Sequence, residues 1–381
     1  MAAFGIRNVV MPSGATLWLE REDKMVQWVI TYKEGAKPQR IYAFSVGGNN
    51  HLVVNYWDGT QWKWADQGTP SGSQITELPG VITYLDGNQR IYAFGLGSGG
   101  HLYVNYWNGT QWAWADQGTP SGTTAYTTPS VVTYPEAGQQ LIFAFLMSAN
   151  NHLHVNYWNG TQWKWADQGM PSGTMVWSTP AVITYYAAGK QRIYAFIVGK
   201  DDHLYLNYWN GTQWKWADQG KPPGTTVTGL GIFKTSAGVI TYLEANKQRI
   251  YAFVAGANGH LLVNFWDGTQ WAWADQGTPS GATILGTPAV ITYLAAAKER
   301  IYAFVPGSNG HLYVNYWNGT QWKWADQGKP AGTSVLDGVT AITYLDGGTH
   351  RIYAFAHGTN GHVIVNYWNG TEWKWADQGA P

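Results

Sequence analysis

The chain contains no cysteine. Disulfides, zinc–thiolate centres and thiol nucleophiles are therefore excluded, which suits synthesis in a reducing compartment without requiring one. Charge is also scarce, since Asp, Glu, Lys and Arg make up only 12% of the 381 residues, roughly half the usual share. The 23 basic and 23 acidic residues cancel, and no block of one sign occurs. This argues against nucleic acid, whose binding needs a concentrated basic patch, and against an anionic membrane surface. No run of 18 apolar residues exists, so membrane insertion is not expected. The N-terminal MAAFGIRNVVMPSG lacks the basic start and apolar core of a secretory signal. The expectation is a protein made in the cytoplasm, with release as its route to extracellular targets. Helical periodicity is missing throughout. Also missing are G-x-S-x-G, a paired-carboxylate motif, the Ser-x-Asp-x-Gly-x-Thr-Trp box of sialidase-like propellers and the Asp-x-Asp-x-Asp-Gly of calcium loops. No catalysis, cofactor or metal is expected.

What is present is a repeat. HLYVNYWNGTQWKWADQG, His311–Gly328, has three tryptophans in eighteen residues and recurs in close copies along the chain. The opening histidines are His51, His101, His152, His203, His260, His311 and His362, spaced by 50, 51, 51, 57, 51 and 51 residues. The long step comes from extra residues in the linker GKPPGTTVTGLGIFKTSAG before Val239. Within one unit PAVITYL reads as a short β-rich run, RIYAFVPG and HLYVNYW alternate, and QWKWADQG forms a fourth strand. Asn318-Gly319 between the last two is a strong hairpin signal. Four short antiparallel strands repeated about every 50 residues are the signature of propeller blades. The fold expected is all-β: a single seven-bladed β-propeller over residues 1–381, with seven repeats of about 51 residues from residue 26 onward. Residues 4–18 align with Trp271–Leu285 and add an eighth candidate fourth strand. Residues 4–10 then either close the ring beside the last blade or cover an edge within the 1–25 segment.

A tight turn places Trp317 opposite Trp322, Asn315 opposite Trp324 and Tyr313 opposite Asp326. Opposed residues share a face, so His311, Asn315, the three tryptophans and Asp326 look toward one adjacent blade, and Lys323, Ala325 and Gln327 look away. Large flat rings suit the wedge between blades, and packing is the plain reading of any single tryptophan.

The tandem HLYVNYWNGTQWKWADQGTPSG unit resembles that of the Photorhabdus lectins, the PLL-type family of seven-bladed propellers, over essentially the whole chain. The resemblance implies a protein that binds L-fucose and O-methylated sugars at several sites between blades, often as an oligomer. Without cysteine any homo-oligomer here is noncovalent. The residues support a carbohydrate reading on their own account, because indole faces stack on sugar C–H patches while Asn, Asp and Gln take hydroxyls. Repetition suits weak sites used together on a glycan-coated surface. The partners expected are fucosylated or O-methylated glycans; a propeller scaffold for other proteins is the alternative.

The expected stacking residues are Trp62, Trp112, Trp163, Trp214, Trp271, Trp322 and Trp373, at a strand end near the rim. Their hairpin partners Trp57, Trp107, Trp158, Trp209, Trp266, Trp317 and Trp368 form a second tier. To it belong Tyr84, Tyr134, Tyr185, Tyr242, Tyr293 and Tyr344, which end the first strand of the following blade and would close an aromatic cleft. Trp64 and its equivalents lie one step deeper. The His51/Asp66 pair, present in all seven units, reads as a histidine on a buried aspartate locking strand three to strand four. Lysine at 63, 164, 215, 323 and 374, against Ala113 and Ala272, reads as a solvated position. The five Asn-Gly-Thr sequons read as turn chemistry rather than glycosylation. The third repeat departs most, with Gln140-Leu141-Ile142-Phe143 and His154.

Overall fold

The computed structural model describes residues 9–10, 16–17, 28–227, 235–336 and 338–380. They form a seven-bladed β-propeller with blades at residues 29–66, 80–116, 130–169, 181–218, 238–275, 289–326 and 340–377. Blade 6 shows the pattern: Ala289–Ala295, Lys298–Pro306, Leu312–Trp317 and Trp322–Asp326 pair in that order, all antiparallel. The first strands line the axis, touch one another around the circle, and close it where blade 7 meets blade 1. Residues 228–234 of the long linker lie outside the described residues. So do residues 4–8 of the N-terminal segment, while Val9–Val10 pairs with Thr16–Leu17 as a two-stranded ribbon.

Each blade is sandwiched between two others, so both of its faces are apolar. The second strand of blade 1, Arg40–Val46, sends Ile41 and Ala43 toward blade 7 and Tyr42, Phe44 and Val46 toward blade 2. Seven buried clusters result, one in each seam. Small residues serve near the axis, and the tryptophans of the outer strands fill the gap where the blades diverge.

The register matches the sequence expectation pair for pair: Trp317↔Trp322, Asn315↔Trp324 and Tyr313↔Asp326. The turn is wider than a two-residue hairpin. Asn318 Oδ1 accepts the backbone N–H groups of Thr320 and Gln321 (3.0 and 3.1 Å) and the Thr320 hydroxyl (2.8 Å), building a four-residue loop. Only its glycine, Gly319, takes a left-handed φ (92°). Asp58 and Asp267 replace asparagine without loss, because a carboxylate oxygen accepts the same bonds. Those bonds, led by the Thr269 hydroxyl, hold the Asp267 carboxyl down at about 2.

Two devices recur in every unit. The histidine at the start of the third strand meets the aspartate at the end of the fourth, as His51 Nδ1 does with Asp66 at 2.9 Å. The aspartate also accepts the Gly68 N–H at 2.7 Å, so the pair ties strand three to the outgoing linker. The carboxylate is about half exposed rather than buried, since it sits where the chain leaves the blade. Between blades, the Trp64 indole N–H donates to the Gln378 carbonyl of blade 7 at 2.9 Å. Trp114, Trp165, Trp216, Trp273, Trp324 and Trp375 do the same with Gln67, Gln117, Gln168, Gln219, Gln276 and Gln327. Every seam carries one such bond, the closing seam included.

Replacing Trp216 with Phe keeps an aromatic ring but strands the Gln168 carbonyl. We expect a loss of about 1–3 kcal/mol, the cost of an unpaired part-buried polar group, read as a lower urea midpoint. An unchanged midpoint would show that this bond contributes nothing to the ring.

Candidate interblade binding clefts

All strand-one/strand-two turns and all strand-three/strand-four turns emerge on one side of the ring, and the aromatic clefts lie just beneath them. In the seam of blades 1 and 2, blade 1 offers a ladder of tyrosines. Tyr42 and Tyr56 sit opposite each other on paired strands and stack at 5.6 Å, and Tyr32 stacks diagonally on Tyr42 at 5.8 Å. Phe44 continues the row inward and meets Trp112 of blade 2 edge-on at 6.0 Å. Trp107 and Trp112 are tilted at 52° with centroids 5.8 Å apart, and they form the opposite wall. Arg40, Gln89 and Asn88 line the same cleft. Its volume is about 310 Å³, and that of the cleft between blades 3 and 4 is about 620 Å³. Both fall in the range of roughly 300–1,000 Å³ usual for small-molecule sites.

The structure thus places the expected stacking residue of each blade (Trp62, Trp112, Trp163, Trp214, Trp271, Trp322, Trp373) beside its hairpin partner, half-buried, at an interblade cleft. The tyrosines are also at clefts, but with a different partner. Tyr84 of blade 2 faces Trp158 and Trp163 of blade 3 rather than the tryptophans that precede it in the chain. Tyr134 faces Trp209 and Trp214, Tyr242 faces Trp317 and Trp322, and Tyr344 faces Trp57 and Trp62. The reason is that each blade presents its tryptophans backward and its tyrosines forward, on opposite faces of one sheet. The deeper Trp64-type rings have their N–H groups committed to the neighbouring blade, which assigns them to packing. Lys63 is exposed and paired with Asp58 at 2.7 Å, whereas Ala113 and Ala272 stand at the equivalent places in other blades.

Two sets of cleft residues went unnoticed in the sequence. One is the second and third rung of the ladder, such as Tyr42 and Tyr56. The other is the arginine before the second-strand Ile-Tyr: Arg40, Arg90, Arg192, Arg249, Arg300 and Arg351. The recurring Gln-Arg-Ile-Tyr was the available signal, because alternation puts Arg and Tyr on one face. Arg249 Nε lies 2.9 Å from Glu244 and Arg351 Nε 3.3 Å from Asp346, so the guanidinium is held at the rim by an acid from the first strand. Blade 3 has Leu141 and Phe143 instead, and its cleft with blade 4 is less polar than the cleft between blades 1 and 2. Blade 4 differs in geometry: its Tyr185, Tyr194 and Tyr208 meet edge-on, at 73° and 62°, where the others stack. Among the described residues, no group of three or more metal-ligating side chains occurs.

No protein-family model and no curated protein matches the chain. Solved structures do. The BP39L lectin from Burkholderia pseudomallei superposes with a TM-score of 0.66 at 17% identity, covering 94% of this chain and 100% of that one. A fucose-specific lectin from Aleuria aurantia gives 0.53 at 17% identity, covering 79% and 96%. AofleA from Arthrobotrys oligospora gives 0.52 at 14% identity, covering 83% and 92%. At such identities the likeness is one of fold.

Burial raises the phenol pKa of Tyr242 and Tyr344 well above its ordinary 10.0, and their hydroxyl contacts with Tyr251 and Tyr353 raise it further. A folded-state pKa above the unfolded one means that this contribution to stability is complete below pH 10 and is lost as pH rises beyond it. The check is an alkaline titration that follows phenolate absorbance and circular dichroism together. Tyr242 and Tyr344 should ionise only as the circular dichroism collapses. A single tyrosine titration completed on the intact fold would contradict this placement.

Proposed function

We propose that the protein is a PLL-type lectin that binds L-fucose and O-methylated sugars, without catalysis, in the clefts between adjacent blades. The observation that carries this reading is the cleft itself: an aromatic ladder, two tilted indoles and a rim arginine. Rings with exposed faces attract the C–H side of a monosaccharide. The guanidinium, the neighbouring Gln and Asn side chains and the turn backbone offer directional partners for its hydroxyls. A methyl group on a sugar oxygen adds apolar surface to the same contact. Repetition around the ring favours multivalent binding to a dense glycan surface, with avidity far above single-site affinity. The named lectin character of the superposing proteins, one of them fucose-specific, supports the same reading. Synthesis in the cytoplasm followed by release would bring the ring to extracellular, fucosylated or O-methylated glycans.

A second reading rests on a different feature. Leu85, Tyr186, Leu243, Leu294 and Leu345 occupy one repeat position, just after the cleft tyrosine, and are 59–70% exposed. Large apolar side chains grouped on one ring face suit a protein partner, including a noncovalent homo-oligomer. A silent glycan array, together with self-association lost on Leu243→Ser and Leu294→Ser, would favour this scaffold role.

For the lectin we expect red-cell agglutination that free L-fucose abolishes. Trp322→Ala should lower the number of sugars bound per chain by one. Because Trp322 also packs on Phe253 at 5.8 Å, Arg249→Ala provides a milder probe of the same cleft, expected to weaken it without disturbing the packing. Unaltered binding in both variants would sink the assignment.

A further inference from the structure

The residue just before the rim arginine, or before Leu141 in blade 3, is Gln39, Gln89, Gln140, Gln191, Gln248 or Glu299 in the first six blades. It lies at the cleft shared with the preceding blade, as Gln89 and Gln191 do. There it folds back onto a threonine of its own first strand: Gln39 donates to Thr31 at 2.6 Å and Gln140 to Thr133 at 2.6 Å, and Glu299 accepts from Thr292. Drawn back in this way, the side chain leaves the neighbouring tyrosine face open. Blade 7 breaks the pattern with His350, whose ring reaches across the seam onto blade 6. Its centroid stands 4.2 Å from that of Tyr293 with planes 29° apart, closer than any rung of the tyrosine ladders. Its Nε2 lies 3.2 Å from the Leu294 carbonyl, which accepts an N–H from it, and its Nδ1 is buried. Tyr293 is the cleft tyrosine that faces Trp368 and Trp373.

We propose that His350 closes the cleft between blades 6 and 7, its imidazole occupying the place on Tyr293 where a sugar ring would stack. The inference rests on the reading of the clefts as saccharide sites. A stacked, hydrogen-bonded imidazole withholds the aromatic face from a ligand, and a saccharide would have to displace it. The ring is therefore short of one site, and a single residue determines which.

The test is His350→Gln, which restores the residue of blades 1 to 5, made in the full chain. Methyl α-L-fucoside bound per chain is counted by native mass spectrometry and calorimetry. Hydroxyl-radical footprinting without sugar reads the exposure of Tyr293. We expect one more fucoside per chain than in the unaltered protein, and Tyr293 oxidation rising to the level of Tyr242 and Tyr344. Equal footprints before and after the substitution overturn the proposal, and so does an unchanged stoichiometry in a protein whose other clefts bind. Should no cleft bind fucoside at all, the lectin reading fails, and the footprint alone then decides whether His350 covers Tyr293.

Discussion

Neither face of a four-stranded blade can be buried within the blade, so each must be covered by a neighbour, and only a closed circle covers them all. Everything else follows from that need. The tryptophan-to-glutamine hydrogen bond enforces it at every seam: an indole on the fourth strand of one blade reaches the carbonyl at the end of the blade before it. Blade 1 makes this bond to blade 7 like any other pair, with Trp64 donating to Gln378. Closure thus uses the same geometry as propagation. Solenoid repeats must cap their ends, whereas this ring consumes them.

The same geometry generates the clefts. Blades that converge at the axis must diverge outward, and near the axis Ile41 and Ala43 suffice to fill the gap. Further out the space demands indoles, and on the turn-bearing side even two tryptophans and three tyrosines leave a crevice. Aromatic rings are therefore needed for packing and are left partly uncovered by the same wedge. The crevice arises as the remainder of a packing problem, and seven-fold repetition multiplies it.

Repetition does not make the clefts equal. Blade 3 exchanges arginine for Leu141 and tyrosine for Phe143, removing two polar groups from its cleft. Blade 4 turns its tyrosines edge-on. Blade 7 places an imidazole against Tyr293. These differences sit at cleft positions, which are half-buried rather than enclosed. The core positions, Phe44 and its counterparts or Ile41 and its counterparts, repeat with little variation because each is fully enclosed by two blades. Variation thus accumulates in the clefts and leaves the enclosed core unchanged.

Strand order, blade number and cross-strand register were legible in the sequence, because they depend on local properties: a period of two, turn residues and a spacing near 51. The pairing of Trp317 with Trp322 follows from counting out from a turn centred between Gly319 and Thr320. The rim tryptophans could be named as cleft residues because every tryptophan cannot be swallowed by the seams. Which tyrosine meets which tryptophan could not be read, because the chain does not state whether a blade turns its tryptophan face forward or back. That is set by sheet twist and the sense of the ring, so Tyr84 met Trp163 rather than Trp62. The reach of His350 onto Tyr293 was equally invisible, since it depends on a contact between residues 57 positions apart in the chain and on different blades. Local periodicity determined the blades, and only their assembly in space decided what stands in the gaps between them.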